Sequence, residues 1–328
     1  MKHFLAFVVI TFFYSNYIGA QTYTNTNDQQ NGKTFGQLMT WVLDGEKGPK
    51  KVEIETSTEW QELIPDQTNY AVWIGHATYL INNGDVTILT DPIFSKRASP
   101  IGFAGPKRMI PPAMTLNDLP KIDVVVVSHN HYDHLDIWSL KKLYKLNLET
   151  IFLVPAGDRL KLIKAGIKNV YEMQWWDAFN FSNTTFHFTP VQHWSKRGLF
   201  DRNKSLWGGW FIKSNDLALY HAGDTGYSSD FKTTYERLGA PDYSFIPIGA
   251  YDPRWFMKDS HVNPEEAVQI ALDLQTPHSF GMHWGTFTLT DEPVLEPPAR
   301  LKAALKEQNL APEFFISPKP GQILQLTK

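Results

Sequence analysis

One seven-residue stretch of the sequence carries most of its visible chemistry. Residues 128–134 read Ser-His-Asn-His-Tyr-Asp-His and directly follow the apolar run Val124–Val127. A buried strand that ends in a polar loop places that loop at the rim of a sheet, where side chains from neighbouring turns can converge. The His-x-His pair can bind one cation, while the adjacent Asp-His pair can turn toward a second. The four residues are His129, His131, Asp133 and His134.

Two further observations bear on this predicted metal site. Solvent-exposed histidines in a polar turn are the plainer interpretation, but four ligand-type side chains in six positions argue against it. The chain also has no cysteine, so any metal must be held by imidazole and carboxylate. Such ligands suit zinc, iron or manganese more than a purely structural zinc site.

The first residues have the features of an export signal. A basic start is followed by the apolar stretch Phe4–Tyr14 and by Gly19-Ala20-Gln21, where small residues predict cleavage. We therefore expect a signal peptide over residues 1–20 and an exported protein, periplasmic or secreted. The apolar stretch is shorter than the ~20 residues of a transmembrane helix, which makes a retained anchor the weaker alternative.

Composition restricts the class of protein. The chain has 328 residues, 42% hydrophobic and 20% charged, and a formal net charge of −3, which is typical of a globular protein and gives no reason to expect a nucleic-acid partner. Residues 21–50 begin with a Thr-, Asn- and Gln-rich stretch without apolar periodicity, and we expect a flexible tether there. No internal repeat or long linker follows, so residues 51–328 are predicted to form one domain.

The rest of the sequence alternates short apolar strands with helices. The pattern predicts helices over Ile137–Lys145 and Pro264–Leu274, and the second has Asn263 as N-cap with Glu266 at the capping-box position. The predicted strands are Ala71–Ile74, Val86–Thr90, Asp123–Val127, Ile151–Val154, Thr185–Thr189 and Leu217–Tyr220.

Three more candidate ligands follow apolar segments elsewhere in the chain. They are His193, Asp224 and His283, and the last two are flanked by glycines, which allow a sharp turn or a close approach. A single residue of this kind at a strand end is more often structural than a metal ligand. Together they supply the additional donors that a site for two metal ions needs.

The order of these residues resembles the metallo-β-lactamase superfamily. Within it, four segments outside the metal ligands closely resemble the N-acylphosphatidylethanolamine-hydrolysing phospholipases D, and the similarity runs roughly from Trp73 to Phe315. The segments are Trp73–Thr78, Leu89–Ser95, Gly105–Arg108 and Trp255–Val268. The chain departs from the animal enzymes at Asp259-Ser260 and at Asn263, which puts the contacts to the lipid head group in doubt.

The resemblance implies an α/β fold, a four-layer αββα sandwich, with two zinc ions per chain. It assigns His129, His131 and His193 to one zinc, and Asp133, His134 and His283 to the other, with Asp224 bridging them. The implied reaction is attack by a metal-activated hydroxide on a phospholipid at a membrane surface, which releases N-acylethanolamine and phosphatidic acid.

The roles of several other residues stay open on the sequence alone. Asp133 and His261 are the expected catalytic residues, but His261 is equally compatible with a buried histidine that protonates nothing. His76 and Asp91 are expected to support the ligand imidazoles rather than to touch metal. Three aromatic groups, at Trp175-Trp176, Trp207–Trp210 and Trp255-Phe256, are expected to belong to the core more than to an acyl cavity.

Two other functions compete with the phospholipase. A lactonase or other carboxylic ester hydrolase of the same superfamily would use the same ligands, and only the flanking segments argue against it. A non-enzymatic surface protein with structural zinc would need closed four-ligand shells. Seven candidate ligands shared by two ions leave room for water, which favours catalysis.

Overall fold

The computed structural model describes residues 22–28, 33–44, 52–64 and 68–327. Within these residues the chain forms fourteen strands. They are β1 Tyr70–Gly75, β2 Thr78–Asn82, β3 Thr87–Thr90, β4 Val124–Val126, β5 Ile151–Pro155, β6 Val170–Met173, β7 Ala178–Phe181, β8 Thr184–Thr189, β9 Gly209–Lys213, β10 Ala218–His221, β11 Tyr243–Pro247, β12 His278–Met282, β13 Phe315–Ile316 and β14 Ile323–Gln325.

The described helices lie between and beside these strands. A short 3₁₀ turn over Pro312–Phe314 precedes β13. The α-helices are α1 Phe35–Asp44, α2 Trp60–Leu63, α3 Ile137–Leu146, α4 Arg159–Lys164, α5 Asp230–Leu238, α6 Arg254–Met257, α7 Pro264–Asp273 and α8 Glu296–Glu307.

The strands form two mixed sheets of seven. One has the order β14-β1-β2-β3-β4-β5-β6 and the other the order β13-β12-β11-β10-β9-β8-β7. The first sheet is antiparallel from β14 to β3 and parallel from β3 to β6, and the second is parallel from β10 to β13. Parallel neighbours need crossover connections, which helices α3, α4, α5, α7 and α8 supply except between β3 and β4, where the connection over residues 91–123 has no helix.

Strand alternation explains the layers. In β4, Val124 and Val126 face the core shared with the second sheet, whereas Val125 packs in a separate core with Leu140 and Leu143 of α3. A strand buried on both faces is therefore a continuous apolar run. Helices cover the outer face of each sheet, so the four-layer αββα sandwich is confirmed.

The predicted elements agree with the structure to within one residue at each end. Asn263 caps α7, since its side chain accepts a hydrogen bond from the Glu266 N–H. The Glu266 side chain in turn accepts a hydrogen bond from the Asn263 N–H. Among the described residues, no helix is both long and apolar enough to cross a membrane. The predicted signal peptide, residues 1–20, lies outside the described residues.

The described parts of residues 21–50 differ from the flexible tether that we expected. Trp41 of α1 stacks on Phe256 at 5.0 Å between ring centroids and donates to Asp291 at 2.8 Å. Asn25 is buried, and the Tyr23 N–H donates to the Asn203 carbonyl. Polar composition alone gave a wrong expectation here, because the Asn25 side chain accepts hydrogen bonds from buried donors of the domain instead of facing water. The boundary at residue 51 itself stays a prediction.

Candidate metal centre

Six strands bring the candidate site together. Strands β1, β3 and β4 run in one direction in the first sheet, and β8, β10 and β12 share a direction in the second. Their carboxyl ends therefore lie at one edge of each sheet, and the loops that leave them meet. The residues that follow these strands are His76, Asp91, the 128–134 loop, His193, Asp224 and His283.

Three imidazoles form the first group of donors. The Nδ1 of His131 lies 2.9 Å from Nε2 of His129 and 3.2 Å from Nε2 of His193. One proton on His131 Nδ1 can bond to only one of the two neighbours, so the remaining lone pairs repel each other. A single cation coordinated by all three nitrogens would remove this conflict, and neutral imidazole is a preferred ligand of zinc.

The second group combines a carboxylate with two imidazoles. Oδ2 of Asp133 lies 3.5 Å from Nε2 of His134 and 3.5 Å from Nε2 of His283. The two imidazole nitrogens are 3.2 Å apart. This donor set of one oxygen and two nitrogens is typical of a zinc, iron or manganese site.

Asp224 lies between the two groups. Its Oδ2 is 3.2 Å from Nε2 of His134 and its Oδ1 is 3.0 Å from Nε2 of His283. On the other side, Oδ2 is 3.9 Å from Nε2 of His129 and 4.0 Å from Nε2 of His193. A carboxylate that faces both groups is placed to bridge two cations. All seven predicted ligand residues are thus brought together, and they are able to bind metal.

The pKa shifts of the clustered side chains also fit a metal site. Burial alone would raise the pKa of Asp224, but His134 and then His283 outweigh burial and hold it well below its usual range. Burial alone would lower the pKa of His283, but Asp224 raises it to about 9. Without a metal, protonated imidazoles compensate the negative charge of the buried carboxylates. A divalent cation supplies the same compensation and leaves the nitrogens free to coordinate.

In the first group, His129 and His193 have lowered pKa values, whereas the pKa of His283 is raised. Burial holds the pKa of His129 well below its usual value, with the neighbouring His134 as the next cause. Burial also lowers the pKa of His193, and Asp224 only partly opposes it. Both rings are therefore neutral at neutral pH, which is the form that binds metal.

Asp91 supports the ligands from behind, as predicted. It is fully buried and accepts hydrogen bonds from Nδ1 of His134 at 2.8 Å and from Nε2 of His221 at 3.1 Å. The Ser128 N–H and hydroxyl donate to it at 2.7 and 2.6 Å. The Ser128 hydroxyl also lies 2.9 Å from Nδ1 of His129, so one carboxylate orients ligands of both groups.

His76 adjoins the second group and lies close enough to Asp133, His134 and His283 to be a metal donor itself, so its supporting role stays a prediction. Its Nε2 lies 2.9 Å from Oδ2 of Asp133, and its carbonyl accepts from the His283 N–H. Burial and then His283 lower the pKa of His76 to about 3. The ring is therefore a neutral donor to the Asp133 carboxylate, which leaves the other carboxylate positions free for a cation.

His261 lies beside the cluster, between α6 and α7. Its Nδ1 is 3.8 Å from Oδ2 of Asp224, and its carbonyl accepts from Arg254, which is paired in turn with Glu266 of the capping box. Burial lowers the pKa of His261 to about 4 although Asp224 opposes this. The ring is therefore neutral at neutral pH and is able to accept or pass on a proton.

Two supporting residues were not found by reasoning from the sequence. His221 ends β10 and its only signal was its place directly before Ala222-Gly223-Asp224. Asn25 had been placed in the tether. Its Oδ1 accepts from the backbone N–H of His193 at 3.0 Å and from the indole N–H of Trp207 at 3.0 Å. The 22–28 segment therefore holds one of the candidate ligands in place.

A cavity of about 300 Å³ opens beside His261. Its lining combines the stacked rings of Trp41 and Phe256 with cationic side chains, among them Lys33, whose Nζ lies 5.5 Å from the centroid of the Phe256 ring. The described lining residues are Lys33, Leu38, Trp41, Trp194, Lys196, Arg202, Phe256, Met257, Ser260 and His261. Such a cavity can bind a group that is both anionic and apolar.

The aromatic groups that we assigned to the core divide between two roles. Trp207 and Trp210 are buried in the core between the sheets, as predicted, and Trp175 packs against it. Phe256 instead lines the cavity, and Trp255 beside it is half-exposed. Ser260, where the chain departs from the animal enzymes, also lines the cavity, while its carbonyl accepts from Nδ1 of His193.

Comparisons with known proteins agree with this geometry. Residues 86–284 match the family described as the beta-lactamase superfamily domain. The chain is 41% identical over 266 residues to an N-acyl-phosphatidylethanolamine-hydrolyzing phospholipase D 1 of Caenorhabditis elegans, covering 77% of this chain and 75% of that one. It is 39% identical over 241 residues to a mitochondrial enzyme of the same description from Saccharomyces cerevisiae, covering 71% of this chain and 51% of that one.

A solved structure shows the same fold. A metallo hydrolase from the archaeon Ignicoccus hospitalis superposes with a TM-score of 0.58 at 21% identity, covering 78% of this chain and 97% of that chain. The lactonase and phospholipase alternatives share this fold, whereas a non-enzymatic surface protein does not fit relatives named as hydrolases. The chain therefore belongs to the beta-lactamase superfamily, and it is a metal-dependent hydrolase whose relatives include N-acyl-phosphatidylethanolamine-hydrolysing phospholipases D.

Proposed function

We propose that the protein is a zinc-dependent phosphodiesterase that cleaves N-acylphosphatidylethanolamine on the head-group side, releasing N-acylethanolamine and phosphatidic acid. The observation that carries this proposal is the position of Asp224, which faces two separate groups of donors at 3.0 to 4.0 Å. A paired metal site suits phosphodiester hydrolysis because it can hold both the attacking and the leaving oxygen.

Zinc fits the residues present, with His129, His131 and His193 holding one ion, Asp133, His134 and His283 the other, and Asp224 both. Two such ions supply a water of lowered pKa and positive charge for the phosphate oxygens. The chain itself keeps the donors rigid, since Asp91, His76 and Asn25 fix their orientation from behind. Preorganised donors need no rearrangement during the reaction.

His261 is the residue that we propose to handle the proton of the leaving group. It lines the cavity and touches the cluster, so it lies between the bound substrate and Asp224. Its neutral ring would accept the proton that the attacking water loses and would pass it to the leaving oxygen, which departs as the hydroxyl group of N-acylethanolamine.

The cavity supports a phospholipid over a lactone. Lys33, Lys196 and Arg202 line it, with Lys33 paired to Asp259 at 2.9 Å, and such a cationic lining matches a phosphodiester better than an uncharged ester ring. Leu38, Trp41 and Phe256 provide an apolar wall for acyl carbon. The Ser260 hydroxyl is shorter than the amide that the animal enzymes carry there, so we expect weaker discrimination of the N-acyl chain.

A product analysis tests the reaction. Purified mature protein is incubated with N-acylphosphatidylethanolamine, phosphatidylethanolamine, a lactone panel and a cephalosporin, and the products are identified by mass spectrometry. We expect N-acylethanolamine together with phosphatidic acid, and no β-lactam turnover. Free fatty acid or diacylglycerol in their place would exclude a phospholipase D. Turnover of lactones alone would establish the carboxylic ester hydrolase.

Metal content is a separate prediction. We expect about two zinc ions per chain, measured by elemental analysis of protein that was purified without chelator. Because the ions bind the folded state, their removal with a chelator should lower the melting temperature, and added zinc should restore it. Content well below one ion per chain, with no gain on adding zinc, would contradict the paired site.

A further inference from the structure

Two neighbouring loops carry large apolar side chains that the fold does not bury. Phe103, Leu199 and Phe200 expose 82%, 83% and 85% of their surface, and Ile101 exposes 44%. Soluble proteins seldom place several such side chains together without a binding role. Neither loop contains a residue expected at the metal centre. We call the exposed side chains of residues 96–107 and 197–204, together with Trp138, the docking face.

Both loops border one cavity of about 730 Å³. Ile101 and Gly102 of the first loop line it, Arg197 of the second lines it, and half-exposed Trp138 at the start of α3 joins them. The two loops that carry Phe103, Leu199 and Phe200 thus border a single opening.

The second loop, residues 197–204, is hydrogen-bonded to the 128–134 loop and to Leu135 through Arg197. The Tyr132 hydroxyl donates to the Arg197 carbonyl at 2.9 Å. The Arg197 guanidinium donates to the carbonyls of Asn130 and Leu135 at 2.8 and 2.7 Å and stacks on the Tyr132 ring at 3.9 Å. Whatever binds Leu199 and Phe200 is therefore held next to residues 128–134.

The charge around these side chains is positive although the chain is not. Residues 96–107 contain three cationic residues and no Asp or Glu, and residues 197–204 contain three cationic residues and one acidic residue. Helix α3, which begins at the cavity, adds three lysines without an acid. The whole chain has a formal net charge of −3, so the positive charge is concentrated on this face.

We propose that the docking face binds the surface of an anionic phospholipid bilayer, with Phe103, Leu199 and Phe200 inserted between lipids and the surrounding cations on the head groups. Apolar tips framed by lysine and arginine are the arrangement that membrane-surface proteins use. The proposal rests on the proposed function in one respect, since it explains how a phospholipid reaches the metal centre. A second protein copy or a protein partner would not need this excess of cations, which Asp136 in the cavity lining and Asp201 in the second loop offset only in part.

Vesicle sedimentation tests the docking face without using catalysis. Mature protein is mixed with vesicles of phosphatidylcholine containing phosphatidylglycerol, and with vesicles of phosphatidylcholine alone. We expect binding to the anionic vesicles that weakens with salt. A variant with Phe103→Ser, Leu199→Ser and Phe200→Ser should bind at least about tenfold more weakly. Lys96→Glu with Lys107→Glu should lose the preference for anionic lipid.

The matched control replaces Leu146 and Leu148 by Ser. Both leucines are more than half exposed, but they lie at the far end of α3, beside the start of β5 and at the opposite edge of the sheet from the metal loop. We expect this variant to bind vesicles like the parent. Equal binding by parent and docking-face variant would overturn the proposal, as would a dimer in light scattering that the docking-face substitutions dissolve.

One comparison separates this proposal from the proposed function. The docking-face variant should hydrolyse a water-soluble phosphodiester, bis(p-nitrophenyl) phosphate, at the parent rate while losing activity on vesicle lipid. If neither protein hydrolyses any phosphodiester but the parent still binds vesicles, the reaction is wrong and the docking face stands. If the variant hydrolyses vesicle lipid like the parent, the docking face is wrong and the reaction stands.

Discussion

Replacing Asp224 by Asn is expected to abolish hydrolysis while the fold is kept. The side chain is buried, and it is the one carboxylate within 4.0 Å of ring nitrogens from both donor groups in the described part of the chain. An amide of the same shape has no negative charge and cannot bridge two cations. The rate should fall by more than ~10²-fold, the upper end of what losing even a group behind a ligand costs.

The measurement is the turnover number on lipid substrate, taken together with zinc content and the circular dichroism spectrum. The spectrum should be unchanged, and zinc content should fall from about two ions toward one. Asp273→Asn is the matched control, because Asp273 is another buried carboxylate, bonded to Tyr227 and Gln269 and remote from the cluster. Near-normal turnover in Asp224→Asn would remove this residue from the site.

The parts of the site that could be predicted are those with a local signal. The 128–134 loop was visible because four ligand-type residues follow one apolar run, and His193, Asp224 and His283 were visible because each follows a strand. Parallel strands end at one edge, so residues at their carboxyl ends must approach one another. The local pattern and the position of each residue after an apolar segment therefore predicted which side chains come together, and their division into two metal groups came from resemblance.

The parts that could not be predicted depend on contacts between distant positions. Asn25 lies 168 residues from the backbone group that it accepts from, and His221 lies 130 residues from Asp91. Neither residue has a periodicity or a motif that marks it. A polar segment such as 22–28 was expected to be a tether because composition reports average hydrophobicity, whereas its burial depends on a few specific donors that need acceptors.

The backbone at the strand ends shows how the fold aims these side chains. Three residues that are not glycine have φ in the left-handed region, with values of 55° at His76, 35° at Asp91 and 64° at His283. Such conformations cost of order 1–3 kcal/mol each and persist where the surroundings impose them. Each one follows a strand directly and turns its side chain into the cluster. Eight other non-glycine residues of the described chain also have positive φ, but at these three strand ends the conformation directs donor side chains into the cluster.

Replacing Asp91 by Asn is the second change for which we expect a large effect, this time through groups that do not face the substrate. The carboxylate accepts from Ser128, His134 and His221. Burial alone would raise the pKa of Asp91, but His134 holds it far below its usual range, so the group is charged in the folded protein. An amide offers one acceptor atom fewer and points an N–H at donors that need an acceptor.

Two measurable losses follow from this. Zinc affinity, measured by competition with a chelator, should fall about 10–100-fold because His134 and, through Ser128, His129 are no longer oriented. The free energy of unfolding should fall by about 3–5 kcal/mol, the cost of removing one partner from a buried charged network. Hydrolysis at limiting zinc should fall with the affinity and recover in part when zinc is in excess, whereas Asp224→Asn should not recover.

The contrast between the two carboxylates distinguishes a ligand from its support. Asp273→Asn serves again as control, since it loses buried hydrogen bonds and some stability without a contact to the cluster. If Asp91→Asn loses stability like the control but binds zinc like the parent, Asp91 only stabilises the fold. If zinc restores Asp91→Asn and not Asp224→Asn, the carboxylate behind the histidines orients ligands, and the carboxylate between them takes part in binding the metals.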